Sequence, residues 1–164
     1  MIRLANIEDA PKITVLAIQV WLDTYALDGV SSDIAEFLLE EFTVKKYIKK
    51  IQLTSHRVFV KIKDDHLVGF IVLDLNSTGY ESNIFGEYEV ETLYVQKNSQ
   101  GQGVGSELLR LVITEIGSKF WLSTWINNTT SIGFYKHFGM KQVGITYFML
   151  GGEKHENIAL SNKD

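Results

Sequence analysis

The chain has no cysteine and a single proline. Without thiols there is no disulfide framework, no thiolate metal site and no cysteine nucleophile, so no group transfer can pass through a cysteine-bound intermediate. No apolar run reaches the length of a membrane span, and the N-terminus lacks the basic-then-apolar pattern of a secretory leader. A cytoplasmic protein without membrane attachment is therefore expected. Basic residues do not gather in a stripe and the net charge is −4, so nucleic acid is not an expected partner. His56, His66, His137 and His155 lack ligand-like spacing with one another or with acidic residues, and no metal site is expected.

What remains is the material of one globular domain, residues 1–164. A chain of this length buries about 70% of the surface its unfolded form exposes, and its apolar content of 45% supplies an ordinary core. Ile2–Ala5 reads as a short first strand. Asn6 is placed to cap the helix that comes next, with Glu8 and Asp9 in its first turn and Pro11 close behind. Ile13, Leu16, Ala17, Val20 and Trp21 then recur at helical spacing. Ser31-Ser32-Asp33 starts a second helix through Glu41, and Thr43 caps a third ending near Leu53. Arg57–Lys63 and His66–Leu75 are β-rich and separated by Asp64-Asp65, a hairpin signal. Ser77-Thr78-Gly79 and Ser82-Asn83 mark a loop. Val143–Leu150 and Asn157–Leu160 read as a closing hairpin around Gly151-Gly152.

The most informative segment is Ser99-Gln100-Gly101-Gln102-Gly103-Val104-Gly105-Ser106. It follows the strand-like run Glu87–Val95 and opens the helix-like run Val104–Ile116. A glycine-rich turn at a helix N-terminus offers outward N–H groups, partial positive charge and close access to the main chain. We read it as a cradle for pyrophosphate, to which Gln100 can add an amide donor. The alternative is a flexible loop. Gly105 is followed by Ser106-Glu107 rather than Lys and Ser/Thr, which excludes a Walker loop, and the turn lies too late in the chain for a dinucleotide fingerprint.

Downstream come the strand Lys119–Ile126 and then Asn127-Asn128-Thr129-Thr130-Ser131-Ile132-Gly133-Phe134-Tyr135-Lys136-His137-Phe138-Gly139-Met140. Gln100-x-x-Gly103-x-Gly105 followed by Asn128, Phe134-Tyr135 and Gly139-Met140 resembles the GNAT superfamily of acyl-CoA-dependent N-acetyltransferases, with Met140 in place of the commoner Phe. The likeness extends over essentially the whole chain and is most specific over Glu87–Met140. Trp121-Leu122-Ser123-Thr124-Trp125 and Phe148-Met149-Leu150-Gly151 look closest to the polyamine-type branch. The resemblance implies an α/β (α+β) domain with a mixed, mostly antiparallel central sheet flanked by helices. It also implies transfer of an acetyl group from acetyl-CoA to a primary amine by direct attack in a ternary complex.

By the same resemblance the pantetheine arm pairs with the backbone of Leu93, Tyr94 and Val95, and the pyrophosphate rests on Gln100, Gly101, Gln102, Gly103, Val104, Gly105 and Ser106. Such pairing requires the strand through Val95 and the one after it to splay apart. Tyr135 is the expected general acid, since a phenol of pKa about 10 can protonate a thiolate whose thiol lies near about 8.5 without being ionised itself. Asn128 would hold the pantetheine or cap the helix. The plainer reading is that Ile132, Tyr135 and Phe138 form an apolar stripe and Tyr135 simply packs.

An amine acceptor arrives as an ammonium and must lose a proton. Glu87, Glu89 and Glu91 alternate along the strand before the glycine turn, so the expectation is one shared face, where mutual repulsion raises some carboxyl pKa values. Glu91 is the first candidate for the base and Glu89 the second; a solvated polar strand face is the alternative. Trp21, Asp23 and Tyr25, with Thr24, fall where the family's acceptor-binding helix and loop lie, and Asp28 and Asp33 extend a lining suited to a polycation. The acceptor is then a small-molecule or peptide amine. Protein N-termini, amino acids and antibiotics are alternatives to polyamines, and a non-catalytic acyl-CoA sensor is the alternative to an enzyme. A homodimer is compatible with a free sheet edge.

Overall fold

The computed structural model describes residues 1–162. The chain begins with β1 (Ile2–Leu4), then α1 (Ala10–Tyr25), α2 (Ser32–Glu41) and α3 (Val44–Gln52). The hairpin β2 (His56–Lys63) and β3 (His66–Asp74) comes next, then the short pair β4 (Gly79–Tyr80) and β5 (Asn83–Ile84). The second half holds β6 (Tyr88–Val95), α4 (Val104–Glu115), β7 (Phe120–Trp125), α5 (Thr129–His137), β8 (Lys141–Leu150) and β9 (Glu153–Ser161).

Seven strands form one sheet in the order β1-β2-β3-β6-β7-β9-β8. Every pairing is antiparallel except β6 with β7, whose crossover is made by α4, as a parallel pair requires. The mixed, mostly antiparallel sheet expected from the sequence is present. Val58, Val60, Phe70 and Val72 pack on one face against Ile13, Leu16, Ala17 and Val20 of α1 and Tyr47 of α3. Ile71, Leu73 and Val90 pack on the other face against Leu108, Leu109 and Val112 of α4 and Tyr135 of α5. The strands are thus apolar on both sides, and the helices supply the two outer layers.

Two irregularities in the sheet bring distant polar residues together. The β2–β3 register slips between Lys61 and Ile62, which brings His56 opposite Asp74. The β3–β6 register slips between Val72 and Leu73: Val72 faces Thr92 and Leu73 faces Val90, so Glu91 has no partner across the ladder. These are β-bulges, which locally bend a strand and re-aim a side chain.

Several boundaries differ from the sequence reading. Asn6 caps a 3-10 turn over Ile7–Asp9 rather than α1 itself, and its backbone N–H donates to Asp9 in a reciprocal capping box. The segment after β3, expected as loop, contains the small β4–β5 hairpin. Strand β9 begins at Glu153 rather than Asn157, because Glu153–Glu156 pair with Leu150–Tyr147 although their side chains carry no apolar alternation. Glu87 precedes β6 and its exposed carboxylate lies 3.9 Å from Lys119.

The start of α1 rests on a buried charge. Asp9 is 2% exposed, and accepts hydrogen bonds from Arg3 at 2.6 and 3.0 Å and from the Asn6 N–H at 2.9 Å. The Arg3 guanidinium holds the Asp9 carboxyl below the usual carboxylate range. A pKa lowered by folding stabilises the protein above the unfolded-state value of about 3.9, and that stabilisation is lost as pH falls through the folded value. Asp9→Asn is expected to lower unfolding free energy at pH 7 by about 2 kcal/mol. Urea melts at neutral and acid pH check this: the difference from wild type should shrink as the pH falls below about 4.

Candidate active site

Strands β6 and β7 touch as a ladder only at Tyr88↔Phe120 and Glu89↔Trp121. Beyond those rungs they part, and Leu93, Tyr94 and Val95 lose their neighbour on that side. The splay required by the sequence reading is therefore a feature of the fold. A cleft of about 700 Å³ opens there, with Leu93–Val95 on one wall and Asn127–Ser131 with Tyr135 on the other.

The glycine turn closes one end of this cleft. Gly101 and Gly103 have φ of +73° and +86°, a left-handed conformation that costs a side chain about 1 kcal/mol or more. Gly103 is the N-cap of α4 and makes no side-chain cap. The first-turn N–H groups of α4 have no intrahelical acceptor, so they face the cleft as free donors with the positive end of the helix dipole behind them. Gly101, Gly103, Val104, Gly105 and Ser106 all line the cleft.

The two glutamines of the turn brace it. Gln100 lines the cleft, but its side-chain amide donates to the Val95 carbonyl at 3.0 Å, tying the turn to the end of β6. Gln102 is not among the lining residues. Its amide donates to the Asn98 carbonyl at 2.7 Å, and Lys63 donates to its carbonyl oxygen at 3.3 Å. Asn128 accepts from the Ser131 N–H at 3.2 Å and so caps α5; its amide also acts on the Tyr25 phenol, partly offsetting the effect of burial. Asn128 thus fixes the start of the helix that carries Tyr135.

Tyr135 is 7% exposed and lies on the cleft wall. Burial, with Tyr25 nearby, pushes its phenol well above the ordinary value. The hydroxyl keeps its proton at neutral pH, as an ordinary phenol does, and burial makes it a weaker acid than a free phenol. Burial likewise raises the phenols of Tyr25 and Tyr94.

A second cleft, of about 500 Å³, lies on the α1–α2 side and shares Tyr25, Tyr94 and Trp125 with the first. Aromatic rings from five elements line it. Trp21 lies 4.9 Å from Tyr25 and 5.2 Å from Phe37, and Phe37 lies 5.1 Å from Phe148. Tyr25 meets Trp125 edge-on at 5.8 Å. Two carboxylates, Glu41 and Glu91, complete the wall. Trp21 and Tyr25 therefore lie on this second cleft, whereas Asp23 lines the first.

Glu89 and Glu91 come together, but in different company. Glu89 accepts from the Ser77 hydroxyl at 2.6 Å, and burial raises its pKa despite that bond. Glu91 is bonded to the ammonium of Lys50 at the end of α3. Nε2 of His56 lies 3.7 Å from Glu91 and 4.0 Å from Asp74. The expectation that no histidine gathers ligand-type partners does not hold for His56. Atoms of His56, Asp74 and Glu91 lie within 4.8 Å of one another, although the positive charge of this cluster already comes from Lys50. Sequence spacing gave no sign of it, because two register slips create it.

Residues 27–140 match the acetyltransferase (GNAT) family model, and the chain belongs to that family. It is accordingly an acyltransferase. Over 159 residues it is 26% identical to an uncharacterized N-acetyltransferase in the pepI 3' region of Lactobacillus delbrueckii subsp. lactis, covering 93% of this chain and 91% of that one. Over 93 residues it is 30% identical to a probable spermine N(1)-acetyltransferase of Bacillus subtilis subsp. natto (strain BEST195), covering 54% of this chain and 60% of that protein. The fold is similar to that of the PaiA N-acetyltransferase from Thermoplasma acidophilum crystallised in complex with coenzyme A. That likeness has a TM-score of 0.71 at 19% identity and covers 96% of both chains.

Because no atom lies within 4 Å of a Cβ built on Gly103, only its backbone conformation demands glycine. Gly103→Ala should therefore cost about 1 kcal/mol in a denaturant melt, with no change in the far-UV spectrum of the folded protein.

Proposed function

We propose that the chain transfers the acetyl group of acetyl-CoA to a primary amine, with a polyamine-type acceptor, by direct attack in a ternary complex. The observation that supports this most is the parting of β6 and β7. It joins a donor-lined cleft to an aromatic, carboxylate-bearing cleft through a wall they share, so two substrates entering from opposite sides can meet. On this reading the pyrophosphate lies on the α4 N-terminus. The pantetheine amides pair with Leu93–Val95, where the ladder is open.

The second cleft suits a cation on an apolar stem. Aromatic faces attract an ammonium by about 0.5–2 kcal/mol, and two carboxylates lie on the wall, Glu41 and Glu91, the latter already bonded to Lys50. Glu41 is paired with Lys46 at 3.0 Å, but both side chains are about half exposed; such a pair contributes little and exchanges easily. A diamine or polyamine uses both carboxylates. The spermine acetyltransferase similarity is in accord with this class.

The two ends divide the chemistry. Glu91 takes a proton from the acceptor ammonium, directly or through water; Glu89, held by Ser77, is the second candidate. The free amine attacks the thioester carbonyl, the C–S bond breaks, and Tyr135 protonates the departing thiolate. Charge balance then releases one proton to solvent per turnover.

Thiol release from acetyl-CoA with spermidine, spermine, lysine, short peptides and aminoglycosides tests the reading. Saturable release with the polyamines is the expected result. Tight acetyl-CoA binding without release across the panel would favour a non-catalytic coenzyme-binding module instead. Tyr135→Phe should keep acetyl-CoA affinity while lowering turnover at least about tenfold. Gly103→Glu, which puts a carboxylate at the pyrophosphate, should abolish acetyl-CoA binding measured by calorimetry.

A further inference from the structure

Glu91 faces two ways. One oxygen is bonded to Lys50, and the other, Oε1, lies 3.7 Å from Nε2 of His56. The His56 side chain is 11% exposed and sits behind the second cleft, not among its lining residues. The same Nε2 lies 4.0 Å from Oδ2 of Asp74. These separations exceed a direct hydrogen bond by about 1 Å, so a relay requires the ring to approach each carboxylate in turn. Nδ1 lies 2.9 Å from the Ser55 hydroxyl oxygen. A proton kept on Nδ1 and donated there leaves Nε2 as the acceptor.

The charged groups around the ring come from four elements. Asp74 lies on β3, Glu89 and Glu91 on β6, and Lys50 on α3. On β2 the Arg57 guanidinium donates to the His56 carbonyl at 2.8 Å, which fixes the backbone beneath the ring. Asp74 leads outward, since its other oxygen accepts from the Asn76 N–H at 2.9 Å in the exposed turn after β3.

We propose that His56 is a positioning and relay residue for the proposed acetyl transfer: its Nε2 accepts the proton that Glu91 removes from the acceptor ammonium and passes it to Asp74 at the outer end of β3. A substrate filling the second cleft covers Glu91 on that side. The Glu91 side chain is 23% exposed without a ligand, and the relay offers its proton a second way out on the side away from that cleft. The balance is complete without a further reactant. An ammonium loses two protons on becoming an amide; one ends on the thiol through Tyr135, and the other leaves through Glu91, His56 and Asp74. His56 touches neither substrate, and Lys50 is bonded to the other oxygen of Glu91.

This inference rests on the acetyltransferase reading, and the test separates the two. The kcat and KM of wild type, His56→Gln, His56→Ala and Glu91→Gln are measured with spermidine between pH 6 and 9. His56→Gln should lower kcat about tenfold, leave the KM for acetyl-CoA unchanged and alter the pH profile. Added imidazole should restore turnover to His56→Ala, which a purely structural role would not allow. In NMR spectra of the full chain, Glu91→Gln and Asp74→Asn should each change the ring chemical shifts of His56.

Wild-type kcat and pH profile in His56→Gln, alongside a slow Glu91→Gln, would overturn the relay and leave the function standing. His56 ring shifts that ignore both carboxylate variants would overturn it as well. If Glu91→Gln is as fast as wild type, the base assignment falls together with the relay. No turnover by wild type with any amine would overturn the function and the relay with it.

Discussion

The structure depends on two strands that begin as neighbours and then separate. Tyr88 and Glu89 are held against Phe120 and Trp121, and nothing holds Leu93–Val95 against β7. A sheet interior normally leaves no backbone group unpaired, so an interrupted ladder is tolerated only where solvent or a ligand reaches it. The bulge at Glu91 accompanies this parting. It bends β6, removes Glu91 from the ladder and leaves its carboxylate facing α3 and β2. One extra residue in β6 thus lies beside the opening of the first cleft and supplies a carboxylate to the second.

Around that opening the chain arranges polarity by very local means. The donors of the first cleft are main-chain groups at the start of α4, kept free because Gly103 has no side chain to cap them. The second cleft is built from large side chains contributed by α1, α2, β6, β7 and β8, with two carboxylates among the rings. Backbone donors suit an anion whose negative charge is spread over many oxygens. Aromatic faces and carboxylates suit a cation with an apolar body. The two halves of the proposed reaction are thereby recognised by opposite kinds of surface.

The range of each signal decided how much of this was legible in the sequence. Local signals were clear. Thr43 and Ser31 cap α3 and α2 as read, Asp64-Asp65 makes the β2–β3 turn, and the glycine turn sits between a strand and a helix. Pairing of a pantetheine arm with Leu93–Val95 required a splay, and the short β6–β7 ladder has one. The site's acidic cluster was only half legible. Glu89 and Glu91 were visible as neighbours on one strand, but counting from the hairpin turn alone would put His56 opposite Leu73. The slip at Lys61/Ile62 moves it to Asp74, and the slip opposite Glu91 completes the group. A bulge leaves almost no mark on composition, so long-range register was the part that residue patterns could not carry. The same holds for Phe37 and Phe148, which are ordinary apolar residues until the fold of α2 over β8 brings their rings to 5.1 Å.

Tyr25, Tyr94 and Trp125 belong to the walls of both clefts. A shared wall gives the two clefts a physical route by which filling one could affect the other. If a ligand in one cleft turns any of these rings, it changes the free energy of filling the other, and the factor is the same in both directions. Asn128, which caps α5 and lines the first cleft, lies beside that wall. Any coupling between the two clefts would run through these three aromatic rings.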